Sequence, residues 1–290
     1  MKKSRILTVA RIAVSAALIV WILRKAPLGE VLDALRSADL RFILLALALS
    51  PFGYWASVSR WRLLIRSQGG EASFGFLVRS FLVGVFFNNL LPSTIGGDTI
   101  RAYDTSRSGV GRGTAVAIVI VDRFIGLLAL LLFASVGLFF SPIPALRGWV
   151  AGGAAVLALV AALLFLPAKV PFKVEGRVLA RAFGYSLILQ TLVVLNAWLL
   201  AKALHVPISL PSFFLIVPLA VFVMMIPVSI NAIGVRESVW AFFFAAFGVA
   251  SAAGVALAWL DYGLVLLQAL VGGAIYAGSH KAPEIAEEAA

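Results

Sequence analysis

The chain has no cysteine, only two histidines, and charge on just 13% of its 290 residues. Without cysteine there is no disulfide framework, no thiolate metal site and no thiol nucleophile. His205 and His280 stand far apart in sequence, so neither a metal nor another cofactor is expected. Runs such as "LLALLLFASVGLFF" offer water no ionisable group, which excludes a soluble fold with a charged surface. A phosphate-cradling GxxxxGK[ST] loop is also missing, so ATP is not the expected energy source.

Apolar residues are plentiful instead: 62% of the chain is hydrophobic and the mean hydropathy is +1.05. This composition predicts an all-α polytopic membrane protein, since only helices or closed barrels satisfy their backbone in lipid. In such a chain a net charge of +11 reports which loops face the cytoplasm, and no nucleic-acid partner is expected. Stretches long enough to span occur at 6–23, 42–60, 114–140, 148–167, 183–204 and 254–278. The first resembles a signal peptide, but Arg24-Lys25 follows it without a small-residue cleavage site, so it reads as a retained helix. Between the spans, 24–41 reads as an amphipathic helix on the outer surface, with 168–182 as its inner counterpart.

Two further apolar stretches, 74–107 and 211–249, are interrupted midway by "FFNNLLPSTIGGDTIR" and "MIPVSINAIGVRE". The positive-inside rule decides how they run. If both re-enter and leave on the side they came from, 16 of the 24 Lys and Arg lie inside. Arg24, Lys25, Arg36, Arg41, Arg147 and Lys202 then lie outside, and Arg123 and Arg236 within the membrane. Flipping the topology after each stretch puts the majority outside. The expected fold is therefore six full spans plus two re-entrant helical hairpins, with both termini cytoplasmic.

An offset of 139 residues superposes the halves and aligns Asp98 with Glu237 and Asp122 with Asp261. One membrane domain, 1–290, is expected, with a first repeat at 1–140, a second at 141–279 and a polar tail at 280–290. In the re-entrant topology the repeats are inverted, and paired Gly/Pro breaks in inverted repeats point to a transporter site near the midplane. The hairpin breaks are assigned to Pro92, Gly96 and Gly97 in the first half and to Pro227 and Gly234 in the second.

Asp98 falls in the first turn of a new half-helix with Arg101 three residues on. They read either as a cap with its ion pair or as an anion site in which Asp98 orients the Arg or carries a proton. Asp122-Arg123 sits about nine residues, roughly 13 Å, into span 114–140. Ionised groups at that depth need partners, which makes Arg123 to Asp98 and Asp122 to Arg101 the expected pairs. By the same reasoning Arg236 is the expected counter-charge of Asp261, and Glu237 opens the second half-helix. Asn88 and Asn89 precede the first break and can bond its loose backbone or touch substrate.

The strings "NNLLPSTIGGDTIRAYDTSR", "AIVIVDRFIGLLAL" and "IPVSINAIGVRE" resemble the lysylphosphatidylglycerol synthase transmembrane (flippase-like) family over nearly the whole chain. The resemblance implies a helical membrane domain that moves lipids such as lysyl-phosphatidylglycerol between leaflets. It carries over to Gly96, Gly97, Asp98, Arg101, Asp122, Arg123, Gly234, Arg236 and Glu237. Unlike full-length synthases, the sequence continues into no soluble aminoacyl transferase domain, so no enzyme is expected. The expected function is a lipid translocase of a bacterial inner membrane, acting on an anionic or aminoacylated phospholipid or a polyprenyl-phosphate lipid. In this reading Arg101, Arg123 and Arg236, with Asn88 and Asn89, bind the head group; Asp98, Asp122, Glu237 and Asp261 orient it or couple protons. Two alternatives are an accessory subunit presenting lipid to a separate synthase or glycosyltransferase, and a small-anion transporter.

Overall fold

The computed structural model describes residues 28–90, 95–139, 174–226 and 229–278. Among them every regular element is helical. In chain order these are α1 (Leu28–Arg36), α2 (Leu40–Ser67), α3 (Phe74–Leu90), α4 (Ile95–Ser106) and α5 (Arg112–Phe139). Then come α6 (Gly176–Ala203), α7 (Leu210–Met225), a 3₁₀ turn at Ile230–Ala232, α8 (Val235–Ala246) and α9 (Ser251–Gly278).

Four of these, α2, α5, α6 and α9, are long and apolar enough to cross a membrane, each 28 residues and therefore about 42 Å long. They correspond to the expected spans at 42–60, 114–140, 183–204 and 254–278; the expected spans at 6–23 and 148–167 lie outside the described residues. The helix α1 occupies the middle of the expected amphipathic stretch 24–41. Residues 176–182 are not a separate surface element but the first turns of α6.

Residues 40–67 form one helix because nothing stops it. Asp39 caps the start by accepting from the Arg41 amide at 2.9 Å, and the next strong stop signal is Gly69-Gly70. Pro51 lies inside it, tolerated where neighbouring groups take up the freed carbonyl. The helices α2 and α6 pack along each other and run antiparallel, since the Asp39 amide donates to the Ala203 carbonyl at 2.9 Å.

The two interrupted stretches each fold back. The Glu71 amide donates to the Ser108 carbonyl at 2.8 Å, so the chain leaving α4 returns beside the residues entering α3. In the second half Phe213, near the start of α7, meets Phe244, near the end of α8, edge to face at 6.5 Å. The first unit opens at the C-terminal end of α2, where Trp61, Leu64, Ile65, Leu77, Val110 and Ile118 form one apolar cluster. The second opens at the opposite end of α2, where Val31, Ala46, Leu200, Phe213, Phe244 and Leu257 form another.

The packing is reciprocal. The arm α3 lies along α9, and α7 lies along α5. Both contacts are close because glycine faces backbone: a Cβ on Gly137 would sit 2.5 Å from the Phe214 carbonyl, and one on Gly272 would strike the Leu82 carbonyl. Small residues are what allow helices to approach in a bilayer, where burial of apolar surface gives no net drive. From α2 to α5 the helix lengths run 28, 17, 12 and 28 residues, and from α6 to α9 they run 28, 16, 12 and 28. The constant offset of 139 needs a correction: Arg112 and Ser251 are 139 apart, but Leu40 and Gly176 are 136 apart. The slip falls outside α5 and α9.

Candidate functional site

The carboxylate of Asp122, 1% exposed on the inner face of α5, is held by two arginines. Arg60 of α2 donates from Nε at 2.7 Å and from Nη2 at 3.1 Å, and Arg101 of α4 donates from Nη2 at 3.0 Å. Arg60 also reaches α6 through a 2.6 Å bond to the Ser186 hydroxyl. The Arg101 guanidinium lies 4.6 Å from the centre of the Trp61 ring, whose indole N–H donates to Thr105 at 3.0 Å. A charge this deep must be paired and hydrogen-bonded, and one carboxylate here joins α2, α4 and α5. Two guanidiniums on one carboxylate leave the cluster with an excess positive charge.

The next residue on α5 points elsewhere. Arg123 donates to Asp98 from Nη2 at 2.8 Å and from Nε at 3.3 Å. This pair is open: the Arg123 side chain is 53% exposed and that of Asp98 26%. Successive helical residues diverge by about 100°, so adjacent positions serve a closed cluster and an open pair. Asp98 lies in the first turn of α4, where a carboxylate meets the positive end of the helix dipole. The turn is held in place by the Asn88 Oδ1, which accepts from the Gly97 amide at 2.8 Å. A Cβ on Gly97 would come within 2.6 Å of Asn88 and of the Gly84 carbonyl, so the arms meet only through glycine. Gly96 occupies the same first turn, while Pro92 lies outside the described residues.

The second break is built differently. Asn231 and Ala232 take left-handed backbone with φ of 48° and 56°, and Gly234 follows at 84°. The strain of two non-glycine residues in that region marks a tightly determined turn. The Asn231 side-chain Nδ2 donates to the Asn89 backbone carbonyl at 3.0 Å, which brings the two breaks into contact. Asn89 itself donates to Val85 at 2.9 Å. Glu237 accepts from the Gly234 amide at 2.8 Å and so caps α8. Pro227 lies outside the described residues.

Arg236 stacks over Tyr262 at 4.5 Å, and its Nη1 is buried without a hydrogen-bond partner. Among the described residues no Arg236–Asp261 contact within 4.0 Å closes the expected ion pair. Counted from the first residue of each helix, Asn196 stands on α6 where Arg60 stands on α2, and it donates to the Ala46 carbonyl at 2.9 Å. Among the described residues Asp261 has neither of the two bonded guanidiniums that fix Asp122.

Sequence reasoning brought together Asp122 with Arg101 and Arg123 with Asp98, but it missed Arg60 and Ser186. The apolar run ends at Arg60, so hydropathy alone places it among the cytoplasmic charges, although the helix continues to Ser67. A polar link within the spans was missed as well. Gln268 of α9 accepts from the Tyr54 hydroxyl and donates to Ser50 at 2.7 Å, joining α9 to α2.

Comparison with known proteins gives the family. Residues 8–272 match the family model described as the lysylphosphatidylglycerol synthase TM region. The chain belongs to that family. It is 36% identical over 123 residues to a UPF0104 membrane protein of Methanothermobacter thermautotrophicus, covering 42% of this chain and 35% of the relative. A UPF0104 membrane protein of Methanocaldococcus jannaschii is 29% identical over 108 residues, 37% of this chain and 32% of the relative. One of Pyrococcus horikoshii is 25% identical over 133 residues, 45% and 40% respectively. The matches span about a third of the length of these curated relatives. This LPG synthase TM-region protein is a multi-pass membrane protein, and the part of the synthase that it matches is the membrane region.

Proposed function

We propose that the protein is a lipid translocase of a prokaryotic cytoplasmic membrane, carrying an anionic or aminoacylated head group past the two breaks while the tails stay in the bilayer. The observation that carries this reading is Arg123. It lies about 11 residues, roughly 16 Å, into a 28-residue membrane helix, yet its side chain is 53% exposed. Asp98 pairs with only part of this guanidinium, and the exposed remainder is costly at that depth unless it faces a water-filled gap or an anionic partner from the lipid. The named relatives are archaeal, so the bacterial inner membrane is not carried over from them.

In this mechanism the two helix–break–helix units are re-entrant hairpins that enter from opposite faces as inverted repeats. Arg123 receives the phosphate of the head group, and Asp98 holds the guanidinium in place before the lipid arrives and takes it back afterwards. Arg236, with an unpartnered Nη1, is the receiving cation of the second half. Asp261, without a bonded arginine, exchanges a proton as Arg236 is engaged or released. Asp122 and Arg101 act indirectly, as a buried cluster with Arg60 and Trp61 that sets the position of α4 beside the open pair.

Leaflet-specific reduction of labelled phosphatidylglycerol in proteoliposomes tests this. Wild type is expected to move the lipid faster than empty liposomes, and Arg123→Gln and Asp98→Asn to lose at least tenfold of that increment. A wild type no faster than empty liposomes ends the translocase reading. Variants as fast as wild type end the assignment of the open pair.

A further inference from the structure

A second cationic feature lies away from both breaks. Between the C-terminal end of α2 and the N-terminal end of α6 is a cleft of about 420 Å³. Arg62, Arg66 and Arg181 line it together with Ser59, and no carboxylate is among its lining residues. None of the three arginines forms an ion pair among the described residues. Arg62 is nevertheless fixed, because its Nε donates to the Ala72 carbonyl at 3.1 Å and leaves its Nη groups for a ligand. Three guanidiniums around one space repel each other, and the arrangement is favourable when an anion occupies it.

The rest of the lining has the opposite character. Phe74, Tyr185 and Ile188 form an apolar wall; Ile188 is exposed, and Trp55, also exposed, packs edge to face on Tyr185 at 5.6 Å. Arg66 lies in the last turn of α2, whereas Ile188 lies about 12 residues into α6, so the cleft passes from charge at the helix ends to aliphatic surface further along the spans. At Gly184 the wall is bare and a side chain has room to enter: a Cβ there would meet nothing within 4 Å.

We propose that this cleft binds a phosphate group, as the head group of an anionic lipid whose tails lie along Tyr185 and Ile188. Phosphate is the anion that suits several guanidiniums at once, because each planar fork donates to two of its oxygens. The apolar wall is what distinguishes a lipid from free phosphate. The site would hold such a lipid at the membrane surface whether or not the protein translocates it, so binding and lipid movement are separate readouts.

Equilibrium binding of radiolabelled dihexanoyl-phosphatidic acid to the full chain in a non-ionic detergent, with inorganic phosphate as competitor, decides the matter. Two variants approach the cleft independently. Arg66→Gln/Arg181→Gln removes charge from exposed positions, and Gly184→Leu fills the space without touching a charge. Each is expected to weaken binding at least tenfold while melting as wild type, and rising salt is expected to weaken binding to wild type. Displacement of the lipid by equimolar inorganic phosphate would overturn the assignment to lipid and leave a site for a soluble anion. No displacement would support the phosphate site and assign it to lipid. Wild-type affinity in both variants would overturn the proposal.

Discussion

Two neighbouring residues on α5 illustrate how differently a membrane protein uses charge. Asp122 is enclosed and bonded on both oxygens, so removing its charge strands two buried guanidiniums. Breaking such a buried arrangement costs about 3–5 kcal/mol, whereas an exposed pair is worth about 0–1 kcal/mol. Asp122→Asn should therefore lower the melting temperature in detergent steeply, Asp98→Asn should barely change it, and Arg60→Gln should recover part of the loss when added to Asp122→Asn. Equal melting of the two single variants would contradict the division between a closed cluster and an open pair. At this scale the sequence was informative about pairs and not about closure. The cost of ionised groups at depth dictates that Asp122 and Arg123 find partners, and spacing around the helix sends them to different ones. Which pair faces solvent or lipid depends on how α2 and α6 pack, and no local pattern encodes that.

At the scale of elements, glycine spacing carries the contacts between halves. On α9, Gly272 faces the Leu82 backbone of α3, whereas a Cβ on Gly263 would meet nothing within 4 Å. The same substitution should therefore act with opposite signs along one helix. Gly272→Ala forces α3 and α9 apart and should cost about 1–3 kcal/mol, as overpacking does. Gly263→Ala should stabilise by about 0.5–1 kcal/mol through helix propensity. Thermal melting of the two variants in one detergent checks the pair, and a loss of similar size in both would remove the close α3–α9 contact as an explanation. The helices themselves were legible because 3.6-residue structure in lipid needs only length and apolarity. Their ends were less so: the apolar run of α2 stops at residue 60, but the helix continues to Ser67 because charged and aromatic residues can be buried or can reach the interface. The reciprocal packing of α3 on α9 and α7 on α5 left no trace in apolar periodicity, since lipid-facing and helix-facing positions look alike there.

At the scale of the whole molecule, the units at 74–106 and 210–246 open at opposite ends of the antiparallel α2–α6 pair. If α2 spans the membrane, those ends lie on opposite faces, and the two breaks meet between them where Asn231 bonds the Asn89 carbonyl. Charge predicts the direction: Arg62, Arg66, Arg107, Arg112, Arg177 and Arg181 lie at the end where the first unit opens, which the positive-inside rule expects to be cytoplasmic. Because the chain has no cysteine, single substitutions can read this directly. Ser106 ends α4 and Ser251 begins α9, so the two mark the open ends of the two units. In intact cells a membrane-impermeant maleimide should label Ser251→Cys, and Ser106→Cys should react only after permeabilisation. Labelling of both from the same side would mean that the two units do not enter from opposite faces; an inverted repeat would then no longer account for the reciprocal packing, and the path between the breaks would lose its second exit.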